Sequence, residues 1–124
     1  MEYPAYSSPE HVIEVYVESC RQGDIDRLRS TFLEAATMSG IFQGEFYIGS
    51  PEIFFEEVRD NPLNNQDRGG YVTTIHAVEV CRDIASIVLT ESGYLGNYSL
   101  TNLFHLVATN GEWKIASKLY SDAE

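Results

Sequence analysis

Basic residues are scarce in this chain: eight Lys and Arg stand against nineteen Asp and Glu, a formal net charge of −11. A surface that acidic repels phosphate backbones and anionic headgroups, which argues against nucleic-acid and membrane-surface roles. It does not in itself call for a cationic partner, since dispersed carboxylates also keep a protein in solution. Cysteine is scarcer still. Cys20 and Cys81 are too few and too far apart for a disulfide framework or a zinc site, and each lies in an apolar pattern that reads as a buried free thiol. No apolar run reaches the length of a membrane span. Met1 to Tyr6 carries neither a basic n-region nor an apolar h-region, so no signal peptide is expected and the cytosol is the expected compartment. A phosphate-cradling glycine loop, a nucleotide fingerprint and a Ser–His–Asp constellation are all missing, and no cofactor is expected.

The chain does hold enough apolar matter for a core. Of 124 residues 44% are hydrophobic, with 8 Tyr, 6 Phe and 1 Trp, which fits a single domain over residues 1–124. Ser8-Pro9-Glu10 reads as a helix start: a cap oxygen, proline at the first helical position and a carboxylate near the positive end. Val12, Ile13, Tyr16, Val17 and Cys20 then share one face, and Gly23 supplies the left-handed stop. Asp24 can cap a short second helix with Ile25, Leu28 and Phe32 inside, and a strand-like stretch from about Thr37 to Ile48 is broken by Gly40 and Gly44. Ser50-Pro51-Glu52 opens a third helix closed by Asn61-Pro62, and Asp60 to Gly70 reads as a polar loop. Four strand segments rich in Val, Ile, Thr and Tyr follow, with turns at Arg82-Asp83 and Asn110-Gly111. The fold class is therefore α+β, an antiparallel sheet packed on three helices.

That order of elements, with Gly23-Asp24 after a Tyr-bearing helix, Asn102-Leu103-Phe104-His105-Leu106, and Asn110-Gly111-Glu112-Trp113-Lys114-Ile115, resembles the nuclear transport factor 2-like superfamily. The stretch from Phe104 to Lys118 is most similar to its "putative lumazine-binding" branch. The resemblance implies a cone-shaped, strongly curved sheet whose interior can hold a small apolar or aromatic molecule, and a homodimer. Members include ketosteroid isomerases, dehydratases, polyketide cyclases, transport adaptors and catalytically silent proteins, so fold carries over further than function. Placed on the isomerase pattern, Tyr16 falls at the oxyanion-binding tyrosine and Asn102 at the protonated aspartate. The position of the catalytic carboxylate is Gly40, which disfavours enolisation. The resemblance thus implies a binding protein without a catalytic residue. An isomerase or dehydratase with an unrecognised base, Glu91 or His76, is the alternative, and a protein-interaction module acting through its convex sheet is another.

The candidate ligand-binding residues are Tyr16, Asn102, Phe55, His76 and Phe104. Tyr16 reads either as a core aromatic or as a pocket donor. Asn102 interrupts an apolar strand and must find partners, as a pocket-lining amide or as a structural one. Phe54 and Phe55 either roof a cavity or pack; Phe104 shares the inward side with Asn102, Leu100 and Leu106. His76 shares the face of Leu89 and Asn102 if its hairpin is regular, and the opposite face if a bulge intervenes. Trp113 reads as a core anchor, and Lys118 as a solvated or interface cation that could meet an anionic ligand. Leu103, His105 and Val107 alternate on the outer face, the expected dimer surface. No carboxylate neighbours either strand histidine at ligand spacing, so no metal site is expected.

Overall fold

The protein, a computed structural model, is described over residues 6–63 and 70–122. Helix α1, Pro9–Gln22, begins where Ser8 Oγ accepts the His11 N–H and ends where Gly23 turns left-handed at φ 71°. A Cβ on Gly23 would also stand 2.7 Å from Pro62 Cγ, so glycine is required there by both conformation and space. Asp24 caps α2, Ile25–Ser30. Phe32 does not belong to that helix, as its apolar spacing suggested; it opens strand β1, Phe32–Phe42, and is buried there. Gln43-Gly44 turns the chain into β2, Glu45–Gly49, and α3 spans Glu52–Asp60. The polar loop expected over Asp60 to Gly70 lies largely outside the described residues.

Strands β3 (Val72–Cys81), β4 (Ile84–Tyr94), β5 (Tyr98–Thr109) and β6 (Glu112–Ser121) complete a six-stranded sheet in the order β2-β1-β6-β5-β4-β3. The expected meander is present, but the sheet is mixed, because β1 runs parallel to β6. A parallel pairing needs a crossover rather than a hairpin, and the stretch from β2 to β5 supplies it. Arg82-Asp83 and Asn110-Gly111 are two-residue turns, as their sequences predicted. Cys81, expected inside, is exposed, because it closes the edge strand β3 beside the first of these turns. Cys20 is buried.

One-residue bulges change the alternation along three strands. In β3, Ile75 faces Leu89 and Ala77 faces Val88, leaving His76 over. In β4 the register slips between Glu91 and Tyr94, where Gly93 has φ 75°. In β6, Ile115 faces Leu106 while Ser117 faces His105, leaving Ala116 over. Each extra residue flips the strand beyond it to the other face. One contiguous core lies between the helices and the sheet, built on Val12, Ile13, Tyr16, Leu28, Phe104 and Ile115 among others. Trp113 is only half-buried and packs on the margin of this core, because it sits one residue from the Asn110-Gly111 turn at the end of the sheet.

Candidate functional site

A cleft of about 360 Å³ opens between the β1–β2 hairpin, α3 and the inner face of the sheet. Its walls are mainly aromatic and aliphatic, with Met38, Phe42, Phe54, Tyr94, Leu100 and Tyr120 prominent, and Glu91 and Lys118 reach it from below. Phe46 and Ile53, 69% and 55% exposed, stand at its rim. Apolar lining with a few convergent polar groups is the usual composition of a small-molecule site.

Those polar groups form one chain. Lys118 Nζ donates to Asn102 Oδ1 at 2.5 Å, and Asn102 Nδ2 donates to Glu91 Oε1 at 2.6 Å. Tyr71 OH donates to the other oxygen, Glu91 Oε2. The backbone carbonyl of Tyr71 is held in turn by Arg21 Nη1 at 2.9 Å, and the guanidinium lies 5.1 Å from the Tyr71 ring centroid. Glu91, Asn102 and Lys118 are all buried, at 4%, 0% and 4% exposure. A buried cation and a buried carboxylate are tolerable only when compensated, and here one amide serves both: its oxygen faces the ammonium and its NH₂ the carboxylate.

The bulges place these residues. Without the extra residue at Ala116, Lys118 would lie on the outer face with Leu103 and His105. With it, the ammonium enters the core beside four rings, with centroids 4.8 Å (Phe54), 5.0 Å (Tyr120), 5.8 Å (Phe104) and 5.9 Å (Tyr16) away. Burial pushes the Lys118 ammonium below the ordinary lysine range, and the charge of Glu91 partly restores it. The β4 bulge turns Tyr94 inward, where its hydroxyl donates to Glu57 Oε1 at 3.3 Å on the cleft wall. Burial raises the phenols of Tyr16, Tyr71 and Tyr94 well above their usual range, and Glu91 adds to this in each. Among the described residues Tyr16 OH is buried without a hydrogen-bond partner.

Residues 7–121 match the protein family described as "putative lumazine-binding". The chain belongs to this family. A search of curated proteins gave no match. Among solved structures, a nuclear transport factor 2-like protein of unknown function from Silicibacter pomeroyi is similar at 24% identity and TM-score 0.78, over 90% of this chain and 89% of that one. One from Shewanella baltica is similar at 21% identity and TM-score 0.77, over 90% and 87%. A "putative dehydratase" of the same fold from Streptomyces avermitilis gives 19% and 0.64, over 91% of each chain. The fold is therefore the nuclear transport factor 2-like cone, built on a sheet that does not close.

In this member of the lumazine-binding-like family, none of the five candidate residues lines the cleft. Tyr16 and Asn102 point inward, but both lie sealed beneath the floor, and Glu91 and Lys118 are the groups that surface. Phe104 is fully buried against Tyr16, with ring centroids 5.0 Å apart. Phe55 packs edge-on to Phe32 at 5.1 Å, while its neighbour Phe54 takes the cleft side. His76, as the extra residue of its bulge, is exposed and hydrogen-bonded with Thr90 Oγ1 at 2.7 Å on the outer face. Gly40 leaves no room for a base: a Cβ there would stand 2.6 Å from the Tyr120 ring and against the Tyr120 carbonyl oxygen. Lys118, which the sequence offered only as a solvated or interface cation that could meet an anionic ligand, is not among those five, and of the aromatic wall only Phe54 carried a reading as a cavity roof. The one sequence signal for Lys118 was a cation in an otherwise apolar strand.

Proposed function

We propose that this protein binds a small, planar, largely apolar molecule in the cleft above Lys118 and Glu91, and releases it chemically unchanged. One observation carries this reading. An aromatic-walled cleft of about 360 Å³ ends on a buried cation and carboxylate held by a shared amide. The rings can stack on a flat ligand, and the two charged groups can orient its carbonyl or N–H edge. The family's description, "putative lumazine-binding", is compatible with a ligand of this shape. Turnover of the isomerase or dehydratase kind is disfavoured. Both oxygens of Glu91 already accept hydrogen bonds, and neither His11, His76 nor His105 borders the cleft.

The test is calorimetric titration with lumazine and with naphthalenemethanol. Micromolar to millimolar binding is expected, and Met38→Trp, which fills the cleft, should abolish it. Absence of heat or NMR shift changes for every planar aromatic tried would sink the reading.

The outer face supports a second proposal, self-association. Ile84, Leu103 and Leu119, at 57%, 43% and 47% exposure, surround His105 and the half-buried Val107 there. A second copy of this chain would cover them. Sedimentation should give a dimer at micromolar concentration and a monomer for Leu103→Asp. A monomeric wild type would refute it.

A further inference from the structure

We propose that Lys118 is a carbonyl-capturing amine: an aldehyde or ketone entering the cleft condenses with its Nζ to a reversible imine. This inference rests on the small-molecule reading above and names its ligand class as planar, conjugated carbonyl compounds. Four features of the geometry carry it. The amine borders the cleft, so a ligand atom can reach it. Among the described residues it makes no direct ion pair with a carboxylate; Glu91 is reached only through Asn102. Its single hydrogen bond, to Asn102 Oδ1, leaves two of its three ammonium protons uncommitted. Four aromatic rings surround it and limit water.

A solvated surface lysine is protonated and unreactive near neutrality, whereas a desolvated lysine on an apolar wall releases its proton more readily. The direction of the Lys118 shift agrees, with burial its largest cause. The titratable groups facing it are Glu91, Cys20, Tyr16 and Tyr120 and, across the cleft, Glu45, Tyr47, Glu57 and Tyr94.

The chemistry balances without any co-reactant. The Nζ lone pair forms the C–N bond while the carbonyl π pair moves to oxygen, which takes up a proton as nitrogen loses one. The carbinolamine oxygen then takes up the proton that the Lys118 ammonium released before attack and leaves as water, while the nitrogen lone pair forms the C=N of a protonated imine. In the protonated imine the one remaining N–H keeps Asn102 Oδ1 as acceptor, and Glu91 balances the charge from the far side of that amide. No redox change occurs, and water reverses the reaction.

The chain offers a clean test, because Lys114 and Lys118 are its only lysines. Wild-type protein is incubated with 2-naphthaldehyde, reduced with cyanoborohydride and mapped by peptide mass spectrometry. Binding of naphthalenemethanol, which cannot form an imine, is measured in parallel. The expected result is one reduced adduct on Lys118, exceeding labelling of Lys114 and the terminal amine by roughly tenfold or more. Lys118→Arg, which keeps a cation but has no condensing amine, should lose that adduct. If the alcohol binds but Lys118 is labelled no more than Lys114, the imine inference is overturned and the binding reading stands. If neither compound binds and Lys118 stays unlabelled, both are overturned.

Discussion

Replacing Asn102 by leucine keeps the side-chain volume and removes the amide that joins Lys118 to Glu91. Two hydrogen bonds go, at 2.5 and 2.6 Å, and each has a charged partner. Such bonds are worth about 1.5–3 kcal/mol apiece. The losses overlap, because both groups stay buried: the ammonium has no other acceptor in the described structure, and Glu91 keeps only Tyr71. The added methyl surface returns about 1 kcal/mol. A net loss of about 3–4 kcal/mol is expected, against a total stability of about 5–15 kcal/mol for a domain of this size. Urea unfolding followed by circular dichroism at neutral pH should show a midpoint lowered by about 1–4 M. The triple change Lys118→Met, Asn102→Leu, Glu91→Leu should recover most of that loss, since no uncompensated charge remains. A loss below about 1 kcal/mol for Asn102→Leu, the ordinary scale of surface changes, would show that the chain Lys118–Asn102–Glu91 is hydrated and energetically minor.

Tyr16→Phe removes a buried hydroxyl that has no partner among the described residues, so stability at neutral pH should stay level or rise by up to about 1 kcal/mol. The same variant should flatten alkaline unfolding: the folded phenol stays protonated while the unfolded one ionises above pH 10.0, so wild-type stability falls there by about 1.4 kcal/mol per pH unit per buried tyrosine. An unchanged alkaline slope in chemical denaturation at graded pH would contradict this. Gly40→Ala is expected to cost about 1–3 kcal/mol, because its methyl meets the Tyr120 ring at 2.6 Å; a neutral result in thermal unfolding would mean the β1–β6 pairing yields easily. Trp113→Ala should cost about 1–3 kcal/mol in urea, less than the 3–5 kcal/mol of a fully enclosed aromatic, since Trp113 is half-buried; a loss above that range would place it deeper than the sheet margin.

The elements were legible because their signals are local. Ser8 with Pro9, Gly23, Asp24 and Asn110-Gly111 each act within a few residues of chain, and each does what its chemistry predicts. The inward aspect of Asn102 was legible too, because β5 alternates regularly from Leu100 to Leu106. The site was not. Its members come from β4, β5 and β6, and their meeting depends on bulges at Ser92-Gly93 and Ala116 that carry weak sequence marks. Ala116 is neither glycine nor a turn former, so strict alternation assigns Lys118 to the wrong face. His76 shows the same effect in reverse: the hairpin at Arg82-Asp83 is regular, but the bulge lies at His76 itself and sends it outward. Gly40 misled for another reason. A missing side chain reads as empty space in a sequence, whereas here the space belongs to Tyr120, a residue of the parallel neighbour strand.

These bulges also bear on why the core keeps an ionic chain at all. An apolar trio of similar volume would pack at least as stably, since desolvating Lys118 and Glu91 costs as much as their mutual attraction recovers. Strands that slip by one residue exchange their faces, and β6 carries such a slip next to Lys118. If β6 paired with β5 without the Ala116 bulge, Lys118 would leave for solvent, and Asn102 and Glu91 would remain buried with a partner missing. That alternative is penalised by an orphaned amide oxygen on Asn102 and by a buried carboxylate that keeps its hydrogen bonds but loses its nearby cation, whereas an all-apolar core would penalise it only by repacking. The chain from Lys118 to Glu91 therefore favours the register that builds the cleft, and the amine and carboxylate that favour it are groups that border the cleft.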